Sequence, residues 1–151
     1  MRRTDKEITD RAEIEEILER GQVCHLGLVD NGLPYIVPVN YGYLDGCLYV
    51  HSAREGRKID IIRRNNVVSF NIYVDNGLVK SGVACNWGMR YRSVMGMGTA
   101  ALVDGREEKE QALRIIMRHY AGPAESFEAS RMNSLLIIKI QIDSLAGKKS
   151  G

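Results

Sequence analysis

The tightest constraint on this chain is a pair of two-residue turn signals set between apolar segments of period two. Asn31-Gly32 and Asp45-Gly46 each supply residues that tolerate the left-handed backbone of a tight β-hairpin. Before the first turn, Cys24, Leu26 and Leu28 alternate with more polar neighbours. After it, Tyr35, Val37, Val39, Tyr41 and Tyr43 fall on one face of a strand predicted over residues 33–44. The second turn leads into a third strand over residues 47–52, so the chain is committed early to an antiparallel meander.

Helical periodicity appears at the edges of this β pattern. Asp10 and Glu13 stand at capping positions before Ile14, Ile17 and Leu18, and Gly21 follows as a stop, which predicts a helix over Arg11–Arg20. Ile59, Ile61 and Ile62 predict a second over Arg57–Arg64, ended by Asn65-Asn66. Ala112, Leu113, Ile116 and Met117 predict a third over Arg106–Tyr120, closed by Gly122-Pro123. Further strands are expected over residues 67–74, 78–85, 91–103 and 135–142, with a turn at Asp75-Asn76-Gly77 and a loop over residues 87–90. Six or seven strands joined mainly by hairpins specify a mainly-β antiparallel barrel with peripheral helices, not a doubly wound sheet. No repeat or linker divides residues 1–151, and a single domain is expected.

Composition narrows the function. The 21 basic and 19 acidic residues are interspersed, giving a net charge of +2 and no basic stripe of the kind that grips nucleic acid. No apolar run approaches the length that spans a bilayer, and the N-terminus is charged. Three scattered cysteines, Cys24, Cys47 and Cys85, form neither a disulfide framework nor a zinc motif. A cytoplasmic protein without nucleic-acid or membrane partners is expected.

The segment His51-Ser52-Ala53-Arg54-Glu55-Gly56-Arg57-Lys58 carries the most chemistry, because it runs from a strand end through a glycine into a helix N-terminus. Free backbone N–H groups and the helix dipole there favour a phosphate. Gly56 permits close approach, Arg57 offers a bidentate contact and Lys58 adds a point charge. The competing reading is that Arg57, Lys58, Arg63 and Arg64 are the solvated face of an amphipathic helix. His25 and His119 read as structural, and no carboxylate lies at ligand spacing to make a metal site, although a single histidine suffices as an axial haem ligand. Gly96-Met97-Gly98 lacks the following helix of a dinucleotide fingerprint and reads as close sheet packing. Cys85 reads as a small apolar residue, and the strand aromatics as core or interface.

The order Gly32-Leu33-Pro34-Tyr35-Ile36-Val37-Pro38-Val39-Asn40-Tyr41, a turn, Leu48-Tyr49-Val50-His51 and then Gly56-Arg57-Lys58 resembles the FMN-binding split barrel of the pyridoxamine 5′-phosphate oxidase-like proteins. Met1-Arg2-Arg3-Thr4-Asp5, residues 34–38, His51, Cys85 and Tyr91-Arg92-Ser93-Val94 with Gly96-Met97-Gly98 resemble the Nim-type, nitroimidazole-resistance branch. The resemblance implies FMN at the interface of a homodimer. It also implies a ring-lining strand of Val37, Pro38, Val39 and Asn40, a neighbouring strand with Val50, His51 and Ser52, and a phosphate clamp of Arg57 and Lys58. Arg92 and Ser93 would reach the flavin across the interface, and His51 would donate a proton to a small nitroaromatic substrate or orient it. Alternatives are a non-catalytic flavin or haem binder and a pyridoxamine 5′-phosphate oxidase, whose Trp-containing and Arg-x-His C-terminal segment is not found here.

Overall fold

The structure, a computed structural model, describes residues 3–122 and 127–151. Met1 and Arg2 of the family-like start, and Pro123 of the third helix's stop signal, lie outside them. A two-residue strand, β1 (Glu7–Ile8), precedes α1 (Arg11–Arg20). Asp10 caps this helix, its Oδ1 accepting from the Ala12 N–H at 3.0 Å. Both predicted turns then form. Asn31 and Gly32 join β2 (Cys24–Asp30) to β3 (Leu33–Val39) with φ of 50° and 83°, and Asp45 and Gly46 join β4 (Gly42–Leu44) to β5 (Cys47–Ala53) with φ of 47° and 74°. Positive φ at both central residues is the type I′ geometry, which fixes register on either side.

The chain continues through α2 (Arg57–Arg64), β6 (Val67–Val79), β7 (Gly88–Val103), α3 (Arg106–Tyr120), α4 (Ala129–Asn133) and β8 (Leu135–Ser150). The strands form one antiparallel sheet in the order β3-β2-β6-β7-β8-β5-β4, with β1 added beside β8. β3 and β4 are consecutive in the chain yet lie at opposite ends of this order. Residues Asn40 and Tyr41 must therefore carry the chain from one edge to the other, and the sheet is rolled into a barrel that remains split between β3 and β5. Ile17 and Leu18 of α1 and Ile59, Ile61 and Ile62 of α2 close the interior over Leu26, Leu48, Ile72, Val94, Ile138 and Ile140. Ala112 and Ile116 of α3 pack against Ile137 in a separate cluster.

Four expectations need correction. Residues 33–44 are two strands, because the chain changes partner at Asn40-Tyr41. Asp75-Asn76-Gly77 is a bulge inside β6 rather than a hairpin turn: Asp75 adopts φ 56°, the pairing with β7 slips there and then resumes at Gly77↔Arg90. The hairpin reverses further on, so residues 84–86 are a short 3₁₀ turn, and the expected loop at 87–90 is mostly strand. Finally, residues 143–150 extend β8 along β7. Gly147 permits this, since a Cβ there would stand 2.8 Å from Cβ of Ile8. With β1, the described residues hold eight strands, one more than the upper expectation. No helix among them is long and apolar enough to cross a membrane.

Candidate functional site

The split between β3 and β5 is lined by backbone that no other strand uses. In the β2–β3 hairpin the exchanging pairs fall at alternate residues from the turn outward, at 30↔33, 28↔35, 26↔37 and 24↔39. The N–H and C=O groups of Val37 and Val39 are thus spent on Leu26 and Cys24. Groups facing the split belong to Pro34, Ile36, Pro38 and Asn40. Two of these four are prolines, which have no N–H to expose at an open edge. On the other lip, Leu44↔Cys47 and Gly42↔Tyr49 pair, and continued register would match Asn40 with His51. That pairing is not made, so the backbone of His51 and Ala53 also faces the split, whereas Val50 and Ser52 are matched to Ile138 and Leu136 of β8.

Side chains divide accordingly. Val50 and Ser52 point inward and are buried, while His51 points outward and is exposed with no side-chain partner among the described residues. Ser52 is only 4% exposed, yet its Oγ has no hydrogen-bond partner among the described residues. An orphaned buried hydroxyl costs on the order of 1–3 kcal/mol unless something else satisfies it.

From the end of β5 the chain enters α2 through Gly56, whose φ of 123° and ψ of 165° lie where only glycine is comfortable. Nothing lies within 4 Å of the place a Cβ would occupy. The N–H groups of Ile59 and Asp60 bond to the Gly56 carbonyl, which leaves those of Arg57 and Lys58 without described partners at the positive end of the helix. Arg57 reaches the β2–β3 hairpin: its guanidinium lies 4.6 Å from the Tyr35 ring centre and its Nε donates to Asp30 at 3.2 Å. Asp30 also accepts from Arg64 at 2.8 Å. Lys58 is half-buried and unpaired among the described residues. Arg54 holds the entry loop through Asp104 and the carbonyls of Asn133 and Leu135.

The arrangement therefore gathers Val37, Pro38, Val39, Asn40, Val50, His51, Ser52, Arg57 and Lys58 around one split. Arg92 and Ser93 are elsewhere. Ser93 pairs with Tyr73 and Lys148, and its Oγ donates to the Lys148 carbonyl at 3.4 Å. It lies three strands from β3, about 14 Å at the usual strand spacing. Arg92 is engaged within its own chain by Glu16 at 3.0 Å and Asp75 at 2.6 Å. These bonds hold the Glu16 carboxyl at about 2, well below its usual range, and lower that of Asp75 too. Burial pushes the Cys24 thiol up to about 12, so it is inert at neutral pH. No group of three His, Cys, Asp or Glu among the described residues could hold a metal ion.

A family model for pyridoxamine 5′-phosphate oxidase matches residues 10–149. The chain belongs to that family. As a pyridoxamine 5′-phosphate oxidase-like protein it is 36% identical to a provisionally named 5-nitroimidazole antibiotic resistance protein from Bacteroides thetaiotaomicron, with a TM-score of 0.85 over 95% of this chain and 86% of that one. Its fold also matches the flavocytochrome Anf3 from Azotobacter vinelandii (21% identity, TM-score 0.86, covering 100% and 72%). A third match is the FAD- and haem-binding protein from Mycobacterium smegmatis (18%, 0.86, covering 96% and 73%). No curated protein matches the sequence. Within this family member, sequence reasoning missed the backbone groups of Ile36 and Ala53 at the split. Pro34 and Pro38, four apart on one strand edge, were the available signal.

Proposed function

We propose that this protein is a homodimeric FMN-dependent oxidoreductase that reduces small nitroaromatic compounds of the 5-nitroimidazole kind, with its cofactor seated in the β3–β5 split. The observation that carries the reading is the buried, unpartnered Ser52 Oγ beside two unused strand edges that end at the open Gly56 cradle. A flat polar ring system suits two backbone edges, and a phosphate suits the free N–H groups of Arg57 and Lys58 with the Lys58 ammonium and the terminal nitrogens of Arg57. Four basic residues of α2 outnumber Asp30 and Asp60, which favours a dianion.

Bound FMN would supply reversible two-electron chemistry, taking electrons from a reduced donor such as a dihydronicotinamide and passing them to the nitro group. The chain's own part is to bind, orient and protonate. Ile36, Pro38 and Asn40 present backbone groups from one lip and His51 and Ala53 from the other, while Val37, Val39 and Val50 keep the inner side dry. The exposed His51 is free to hold a substrate or to pass it a proton from the imidazole. Arg92 and Ser93 would contribute only from the second copy. Both are already engaged within their own chain, Arg92 by Glu16 and Asp75 and the buried Ser93 by the Lys148 carbonyl, so either would have to exchange partners to do so.

An exposed histidine without a partner equally suits axial ligation of haem, and this supports a second reading as a haem binder. The visible spectrum of protein purified without added cofactor decides between them. Flavin bands with FMN released at near one per chain, lost in Lys58→Ala and followed by nitroimidazole turnover that His51→Ala lowers at least tenfold, are expected. A Soret band abolished by His51→Ala would replace the flavin reading, and a colourless protein that refuses FMN would end both.

A further inference from the structure

The β2–β3 ladder stops at a specific bond. Register continued by one exchanging pair beyond Cys24↔Val39 would set the Tyr41 N–H against the Gln22 carbonyl. Instead the Tyr120 hydroxyl stands between them: it accepts from the Tyr41 N–H at 3.0 Å and donates to the Gln22 carbonyl at 2.7 Å. A phenol oxygen thus relays a bond that the two strands would otherwise make directly, and holds them apart where β3 leaves β2 and crosses toward β5. The wedge is braced from its own helix. His119 bonds the neighbouring Gly21 carbonyl at 2.6 Å and packs edge-on against the Tyr120 ring at 4.8 Å, and tilted against Tyr41 at 4.6 Å. Tyr41 is anchored beneath by its own hydroxyl, which donates to the Leu18 carbonyl at 2.6 Å.

We propose that Tyr120 is a positioning residue for the cofactor site, holding the β3 lip open at Asn40 by occupying the next rung of the β2–β3 ladder. The proposal rests on the β3–β5 split being the FMN site. Without the hydroxyl, the Tyr41 N–H is free to bond Gln22 directly, β3 zips one pair further along β2, and Asn40 is drawn away from the lip that faces His51. The Tyr120 ring is largely at the surface, on the last turn of α3, so a phenylalanine fits without disturbing the core.

The test compares Tyr120→Phe with Ile116→Val, which loosens α3 at its core face and leaves the rung intact. In Tyr120→Phe, FMN titrated into cofactor-free protein is expected to bind at least tenfold more weakly, while Ile116→Val stays within twofold of wild type. The Tyr41 amide resonance and its exchange rate are expected to change only in Tyr120→Phe. An FMN affinity within twofold of wild type in Tyr120→Phe overturns the proposal, as does an unchanged Tyr41 amide. Should Tyr120→Phe not fold, Tyr120→Leu gives the same comparison. If the wild type itself binds no FMN, the functional reading fails, and the Tyr41 amide alone then decides whether the wedge exists.

Discussion

Ser52 and Gly56 make opposite demands on stability and binding, and that opposition is measurable. The Ser52 hydroxyl is buried without a partner, so in the cofactor-free protein it is a cost. Ser52→Ala removes that cost and is expected to raise the apo-protein's stability by about 1 kcal/mol, read from denaturant midpoints, while weakening FMN binding. A loss of apo stability would show that the hydroxyl already has a partner. Gly56→Ala should behave differently. Space for the methyl is open, but a φ of 123° is not accessible to alanine without strain, so a loss of about 1–3 kcal/mol is expected together with lost FMN binding. Chemical denaturation and flavin fluorescence on the same preparations separate the two effects.

α1 is tied to the barrel rim by charge as well as by Ile17 and Leu18. Arg92 on β7 bonds Glu16 of α1 and Asp75 of the β6 bulge, and Arg20 bonds the same two carboxylates. The hydrogen bond from Arg92, then that from Arg20, lowers the folded Glu16 to about 2. A depressed folded value means that the contribution is complete above the unfolded value of about 4.3 and is lost as pH falls toward 2. The melting temperature is therefore expected to fall between pH 5 and pH 2, and Arg92→Met should flatten that fall while lowering the plateau; an equally steep fall in Arg92→Met would remove the network from the account. This network also marks where sequence reading stopped. α1, α2 and α3 were legible to the residue, because caps, glycine stops and apolar stripes are local signals. The bulge at Asp75 was not, because Asp-Asn-Gly spells a turn locally, whereas pairing with β7 on either side and bonds from the distant Arg20 and Arg92 keep it within a strand. The split site was legible in part: Gly56-Arg57-Lys58 announces itself, but the open edges of β3 and β5 follow from a partner change at Tyr41 that depends on Tyr120, 79 positions away.

Apart from the split, the barrel's outer face carries an open trough of about 650 Å³, lined in part by Val29, Ile36, Val67, Met95, Met97 and Leu145. Each of these side chains is exposed, Ile36 to 67%. The β6–β7 hairpin beyond the bulge exposes Leu78, Val79, Val83, Trp87 and Met89 as well, with neighbours such as Leu78 and Val79 on opposite faces. At on the order of 80 Å² each, the six trough side chains alone offer roughly 500 Å² of apolar surface, a size at which exposed patches mark interaction sites. An apolar patch of this kind on a monomer is an aggregation hazard, and self-association about a two-fold axis would cover it on both copies. Ile36 links this face to the proposed cofactor site, because its side chain lies in the trough while its backbone faces the split. Met95→Glu with Met97→Glu places two unpaired carboxylates in the trough without touching the split. Sedimentation is expected to show the proposed dimer for the wild type and a monomer for the doubly substituted protein. Flavin content should fall with it if the second copy completes the site. A monomer that keeps its full complement of FMN would instead assign the whole cofactor site to one chain, and a dimer that survives both carboxylates would move the interface to another face.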